Sequence, residues 1–160
     1  MSTKDNLAAA FAGESQANRK YLMFAEQAEK DGYKGAAKLF RAAAEAETIH
    51  AFAEFRTNGG VGTTAENLQA AINGETYEFT EMYPPMIKEA EAEGDKTAAR
   101  VFTMANEAEK VHAQLYKEAL ADIEGDADYY LCPFCGYIHK GAPTGNCPIC
   151  GAKAELFKKF

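Results

Sequence analysis

The stretch Glu45–Ala51 reads EAETIHA and the stretch Glu107–Ala113 reads EAEKVHA, so one E-A-E-x-x-H-A phrase is written twice, 62 residues apart. The copying extends outward from it. NLAAAFAGES from Asn6 matches NLQAAINGET from Asn67 at an offset of 61, and Tyr21/Tyr83, Gly32/Gly94 and Phe40/Phe102 pair at an offset of 62. A chain written this way is expected to fold as two copies of one unit. The offset grows by one between the Glu14/Glu75 and Tyr21/Tyr83 pairs, so the second copy holds one extra residue there. A π-bulge in the third helix would accommodate it, and such bulges are frequent at functional sites.

Strong helix formers (Ala, Glu, Lys, Leu and Met) dominate the first three quarters of the chain. Four long helices are predicted. The first covers roughly Lys4–Lys30, with Gly32 as its C-terminal cap residue. The second runs from about Lys34 to Thr57 and stops at NGGVG. The third opens at Thr63 or Thr64 and reaches about Glu93 before Gly94, with Pro84–Pro85 kinking it or ending a turn. The fourth spans about Asp95–Glu124. GDADYY then reads as a linker, and composition shifts to Gly, Pro and all four cysteines. The expected domains are 1–125, helical, and 126–160, cysteine-rich.

Residues three apart on a helix share a face, so Glu47 points with His50 and Glu109 with His112. Glu45 and Glu107 face elsewhere. From Glu14 to the Gly32 turn is about 27 Å of helix, and the return to Glu47 and His50 is about as long. Folding at Gly32 therefore levels Glu14 with the first Glu-x-x-His pair, and folding at Gly94 levels Glu75 with the second. A lone Glu-x-x-His is usually just a solvated face, but two copies, each level with a glutamate, are not explained that way. Four carboxylates and two imidazoles gathered in a bundle core are prohibitively costly unless cations neutralise them. A Glu from each of two helices plus Glu-x-x-His from each of two others is the di-iron carboxylate pattern, and its mixed O/N donors suit iron or manganese better than copper. Glu78 lies three residues after Glu75, where the first copy has Ala17, so a seventh ligand is expected on one side only. Glu81 rotates off that face.

Cys132/Cys135 and Cys147/Cys150 give C-x₂-C…C-x₂-C, a strong signal for a tetrahedral S₄ metal site. Spacing alone does not choose between zinc and a single iron. The net charge of −7 and the absence of a basic stripe argue against nucleic acid. No apolar run approaches the ~20 residues of a membrane span, and the N-terminus lacks a signal-peptide pattern. A soluble, cytoplasmic protein is expected, and there paired cysteines favour metal over disulfide.

Taken together, FAGESQANRKY, the two Glu-x-x-His phrases, GETYEFTEMYP and the paired cysteine knuckles resemble the rubrerythrin family over nearly the whole chain. The resemblance implies a mainly α fold: a ferritin-like di-iron four-helix bundle followed by a rubredoxin-like domain. By the same resemblance, Glu14, Glu47, His50, Glu75, Glu78, Glu109 and His112 hold two irons, with Glu47 and Glu109 bridging. Cys132, Cys135, Cys147 and Cys150 hold a third, and zinc or manganese can substitute. On reduction, one iron exchanges Glu78 for His50. Tyr21 and Tyr83 match family tyrosines near the site, and are equally well explained as core residues with a satisfied hydroxyl. The implied activity is reduction of hydrogen peroxide to water. Electrons enter at the Cys₄ iron from an NAD(P)H-linked reductase or a rubredoxin-type carrier, since the chain has no dinucleotide fingerprint of its own. The alternatives are a ferritin-like ferroxidase, iron-handling or oxygen-reducing protein, or a zinc ribbon that recruits partners beside a structural bundle.

One length is tight. Two hairpins related by a two-fold run antiparallel, which makes the second and third helices parallel. Their link must climb roughly 30 Å, and residues 58–64 span at most about 25 Å extended. The expectation is a homodimer, domain-swapped so that each bundle takes two helices from each chain.

Overall fold

A computed structural model describes residues 2–160. The chain forms two compact units, one ending at Gly62 and one running from Thr63 to Phe160. The first is the hairpin of α1 (Thr3–Lys30) and α2 (Lys34–Thr57). Its start is set by a capping box, in which Ser2 and Asp5 satisfy each other's backbone N–H. Its turn uses Gly32 at φ +84°, a conformation that suits glycine. The fully buried residues of this unit are all alanines: Ala25, Ala28, Ala37, Ala44 and Ala51. Small side chains let the two helices approach closely, and Asn18 ties them by donating to the Ala44 carbonyl (2.7 Å) and the Thr48 hydroxyl (2.8 Å). Phe11 stacks on Phe55 toward one end, and Phe24 meets Phe40 edge-on toward the turn.

The second unit begins with α3 (Thr64–Tyr77), opened by a second capping box between Thr63 and Glu66. A π-helical turn, Glu78–Met82, follows and leads into α4 (Tyr83–Glu93). This is where the repeat offset predicts the extra residue. Pro84 and Pro85 lie in the first turn of α4, so the missing N–H groups cost little. Gly94 (φ +76°) ends α4 in the left-handed conformation, and Asp95 caps α5 (Lys96–Ala121) through the N–H groups of Thr97 and Ala98. The fourth predicted helix thus ends a few residues earlier than expected, at Ala121.

A three-stranded antiparallel sheet completes this unit: β1 (Tyr129–Leu131) lies between β2 (Ile138–Lys140) and β3 (Lys158–Lys159). The β2 edge packs on α5, and the cysteine knuckles hang from the loops between the strands. Among the described residues, no helix is long and apolar enough to cross a membrane.

Candidate metal centres

Each helical unit brings one Glu/Glu/His cluster together. In the first, ligand atoms of Glu14, Glu47 and His50 lie within 4.8 Å of one another. His50 Nδ1 is 3.4 Å from Glu47 and 3.7 Å from Glu14. In the second, Glu75, Glu109 and His112 meet the same criterion. There His112 Nδ1 is 2.6 Å from Glu109 and 3.7 Å from Glu75. The levelling of glutamate and Glu-x-x-His about each glycine turn is therefore realised in both copies.

The electrostatics of the two clusters fit cations. Glu14 touches Glu47 and Glu75 touches Glu109, and contacting carboxyls must share a proton or a positive ion. The contact with Glu47 raises the Glu14 pKa. Burial, together with Glu109, pushes Glu75 up to about 7. Glu109 is held low: its hydrogen bond with His112 outweighs the effect of burial. Burial works against the charged form of His112, but Glu109 and the Gly136 carbonyl together outweigh it and raise the pKa. Four carboxylates and two imidazoles are the donors of a di-iron carboxylate centre.

Glu78, the first residue of the π turn, stands outside the tight triad and is half-buried. Its pKa is raised by burial and by the Glu109 charge. Glu81 is exposed, as its rotation off the face predicts. Tyr83 packs on Phe102, and its phenol is raised by burial and by Glu109, Glu78 and Glu75. Tyr21 packs on Phe24 and Phe40, repeating that aromatic pairing.

The two histidines are held differently. His112 Nε2 lies 2.8 Å from the Gly136 carbonyl, so that nitrogen is the N–H donor and Nδ1 is left to bind. Its side chain is only 15% exposed, against 56% for His50. Among the described residues His50 Nε2 has no partner.

In the knuckle, Sγ atoms of Cys132 and Cys150 are 3.5 Å apart, and those of Cys135 and Cys147 are 3.4 Å apart. All four sulfurs lie within 4.8 Å of one another, and none is in a disulfide. Gly136 and Gly151, both at φ +79°, let each loop close on its Cys-x-x-Cys pair. Backbone N–H groups then face sulfur: Tyr137 toward Cys135, Ala152 toward Cys150, and Ile149 and Cys150 toward Cys147. For Cys147 these bonds overcome the burial that opposes them and bring the thiol down to about 7. Such bonds stabilise thiolate, the form that binds metal.

Two residues near the clusters are absent from the sequence-based set. Tyr116 has a pKa raised by burial and by the Glu75 and Glu109 charges. Glu54 is close enough to influence Glu14, and its Oε2 is sealed from solvent without a hydrogen-bond partner. Each lies four residues beyond a cluster histidine, on the same helix face, and the two are themselves 62 apart.

The profile of the family described as "Rubrerythrin" matches residues 5–120, and that of "Rubrerythrin, rubredoxin-like domain" matches residues 130–158. The chain is 41% identical over 175 residues to nigerythrin of Nitratidesulfovibrio vulgaris Hildenborough, covering 99% of this chain and 87% of that protein. It is 38% identical over 177 residues to rubrerythrin-2 of Clostridium acetobutylicum, covering 99% and 96%. Among solved structures it is similar to nigerythrin in its partially reduced state, at 40% identity and TM-score 0.62, covering all of this chain and 87% of that one. The fully reduced, all-ferrous nigerythrin gives the same identity and score.

Proposed function

The chain belongs to the rubrerythrin family, and on that footing we propose that it is a non-haem di-iron peroxidase, soluble, cytoplasmic and homodimeric, reducing hydrogen peroxide to water. Residues 1–125 form the di-iron bundle and 126–160 the Cys₄ iron domain. The observation that carries the reading is the 2.8 Å contact from His112 Nε2 to Gly136 O, which links one di-iron ligand to the residue after Cys135. An electron leaving an iron held by the knuckle would have one peptide and one hydrogen bond to cross to His112. When bound, the two irons supply the electron pair that cleaves the O–O bond, and two protons complete two waters.

The chain's own residues divide the rest of the work. Glu47 and Glu109, each in contact with its own histidine and with the neighbouring glutamate, would hold both irons. Glu14 and Glu75 would each hold one iron, and His112 would be a fixed ligand because the Gly136 carbonyl orients its ring. His50, with no such restraint, is free to swing, and Glu78 on the π turn is its counterpart. By the family resemblance that pair would supply a redox-linked ligand exchange. Tyr83, whose phenol is influenced by the carboxylates of its own cluster, would donate a proton to leaving oxygen. Tyr21 is its repeat equivalent in the other hairpin. The four cysteines take electrons from an NAD(P)H-linked reductase or a rubredoxin-type carrier.

The test is steady-state turnover of the iron-loaded protein with NADH, a rubredoxin reductase and a rubredoxin. Peroxide-dependent NADH oxidation that vanishes in Cys135→Ser is expected. NADH oxidation that follows oxygen and ignores peroxide would make the protein an oxidase.

A further inference from the structure

We propose that the outward edge of the cysteine knuckle, together with the first half of α5, is the docking surface for a small acidic one-electron carrier protein. Cys150 is the port through which the electron enters. The inference names the partner surface of the proposed function, and rests on that reading only in needing a redox-active metal in the knuckle.

The knuckle has two unlike sides. Cys132 and Cys147 are buried, while Cys135 and Cys150 are partly open. Cys135 leads into Gly136, whose carbonyl meets His112 Nε2 at 2.8 Å, so this side faces the metal cluster of its own unit. Cys150 instead lines two adjoining open grooves beside α5, and Arg100 and Met104 line both with it. A partner seated there lies against one sulfur of the metal site, and the electron leaves past another.

The chemistry of these grooves identifies the partner. Their floor is apolar: Met104 and Ile149 are half-buried, and Phe134 and Leu156 remain 66% and 49% exposed. Aromatic and methionine side chains are enriched at the centres of protein interfaces, and arginine with them. The rim is basic, with Lys96, Arg100 and Lys153 standing against one acid, Glu91. Among the described residues the side chains of Lys96 and Arg100 have no ion-pair partner, and Lys153 meets only the exposed Glu155, at 3.6 Å. That sign is the reverse of the whole chain's, which carries 24 acidic side chains against 17 basic ones. An ordinary solvated face of such a chain would be acidic on average, so a cation excess gathered at the open sulfur edge selects an acidic partner. An apolar centre inside a charged rim suits the small, transient contacts of electron carriers, which are steered in by charge and leave after one transfer. The transfer balances simply: the reduced carrier loses one electron and an iron held by the four cysteines gains it. No bond forms or breaks, and no proton moves.

The test measures binding and electron entry without peroxide. A reduced rubredoxin, chosen for its net negative charge, is mixed anaerobically with the oxidised, iron-loaded protein in a stopped-flow instrument. Calorimetry gives the Kd between the two oxidised proteins. Arg100 is exposed, so Arg100→Glu should leave the fold intact. It should slow bimolecular reduction of the knuckle and raise Kd, each by about ten-fold at low ionic strength, and the gap should close as salt is added. Lys117→Glu makes the same change in net charge about 25 Å further along α5, and should leave both quantities near wild type. Phe134→Ala should raise Kd without altering its dependence on salt. Equal effects of Arg100→Glu and Lys117→Glu would overturn the proposal, since only net charge would then matter. So would a slower reduction at unchanged Kd, which would make Arg100 a residue that tunes the knuckle's potential. Failure of the peroxidase reading would look different: the carrier would still bind and reduce the knuckle with this residue dependence, and the reduced protein would not turn over peroxide. A wild type that turns over peroxide with a chemical reductant, yet neither binds the carrier nor is reduced by it, would sink the docking surface alone.

Discussion

The two hairpins carry the same Glu/Glu/His cluster in different settings. In the first, His50 is 56% exposed and lies against the Glu14 and Glu47 carboxylates. In the second, the knuckle covers the cluster, His112 is 15% exposed, and a backbone carbonyl fixes its ring. The second also has the π turn and Glu78. The two copies thus carry the same donors, and what only the second copy has would separate a rigid ligand from a mobile one.

The sharpest way to break this comparison is to remove one histidine at a time. His112→Ala should empty the di-iron site in both oxidation states. The affinity loss should exceed about a hundred-fold, the upper end for outer-shell partners, read by metal analysis after dialysis against chelator. His50→Ala should keep its oxidised iron and lose peroxide turnover instead. Equal iron loss in both variants would refute a division between fixed and mobile ligands.

A smaller effect is expected at the asymmetric ligand. Glu78→Gln should weaken the oxidised site by about ten-fold, at the low end of outer-shell effects, and leave reduced-state binding nearly unchanged. Redox-poised iron titration would show this. The matching position, Ala17→Glu, should have no such redox-dependent effect, because the first copy lacks the π turn.

Next comes pH. Glu75 has its folded pKa at about 7, above its ordinary 4.5. A raised carboxyl favours the metal-free fold at low pH, and that advantage is lost as pH rises through the folded value. Metal-free protein should therefore be less resistant to urea at pH 8 than at pH 6. Metal uptake at pH 7 should release protons, detectable with a pH indicator, and Glu75→Gln should reduce both effects. The smallest effect is structural: Gly94→Ala at φ +76° should cost about 1 kcal/mol in urea unfolding. Its repeat partner Gly32→Ala at φ +84° should cost about the same.

Much of this was legible in the sequence because the repeat acts as its own internal alignment. The offset change between Glu14/Glu75 and Tyr21/Tyr83 located the π turn, the glycine turns levelled Glu14 with His50, and the Cys spacing gave the knuckle. The contact between His112 and Gly136 was not legible, since nothing local says which surface the knuckle packs on. Glu54 and Tyr116 were hidden differently. They fit a helix face as ordinary residues, and only burial near Glu14 and Glu109 marks them. The unequal exposure of His50 and His112 depends on tertiary cover, which two near-identical heptapeptides cannot encode.

The central claim is that both metal sites lie on one electron path to peroxide. The direct measurement reduces the iron-loaded protein anaerobically, adds limiting hydrogen peroxide, and follows the Cys₄ iron chromophore by stopped flow. The account predicts rapid oxidation in proportion to the peroxide added. Slow return of colour with peroxide, alongside fast return with oxygen, would contradict it.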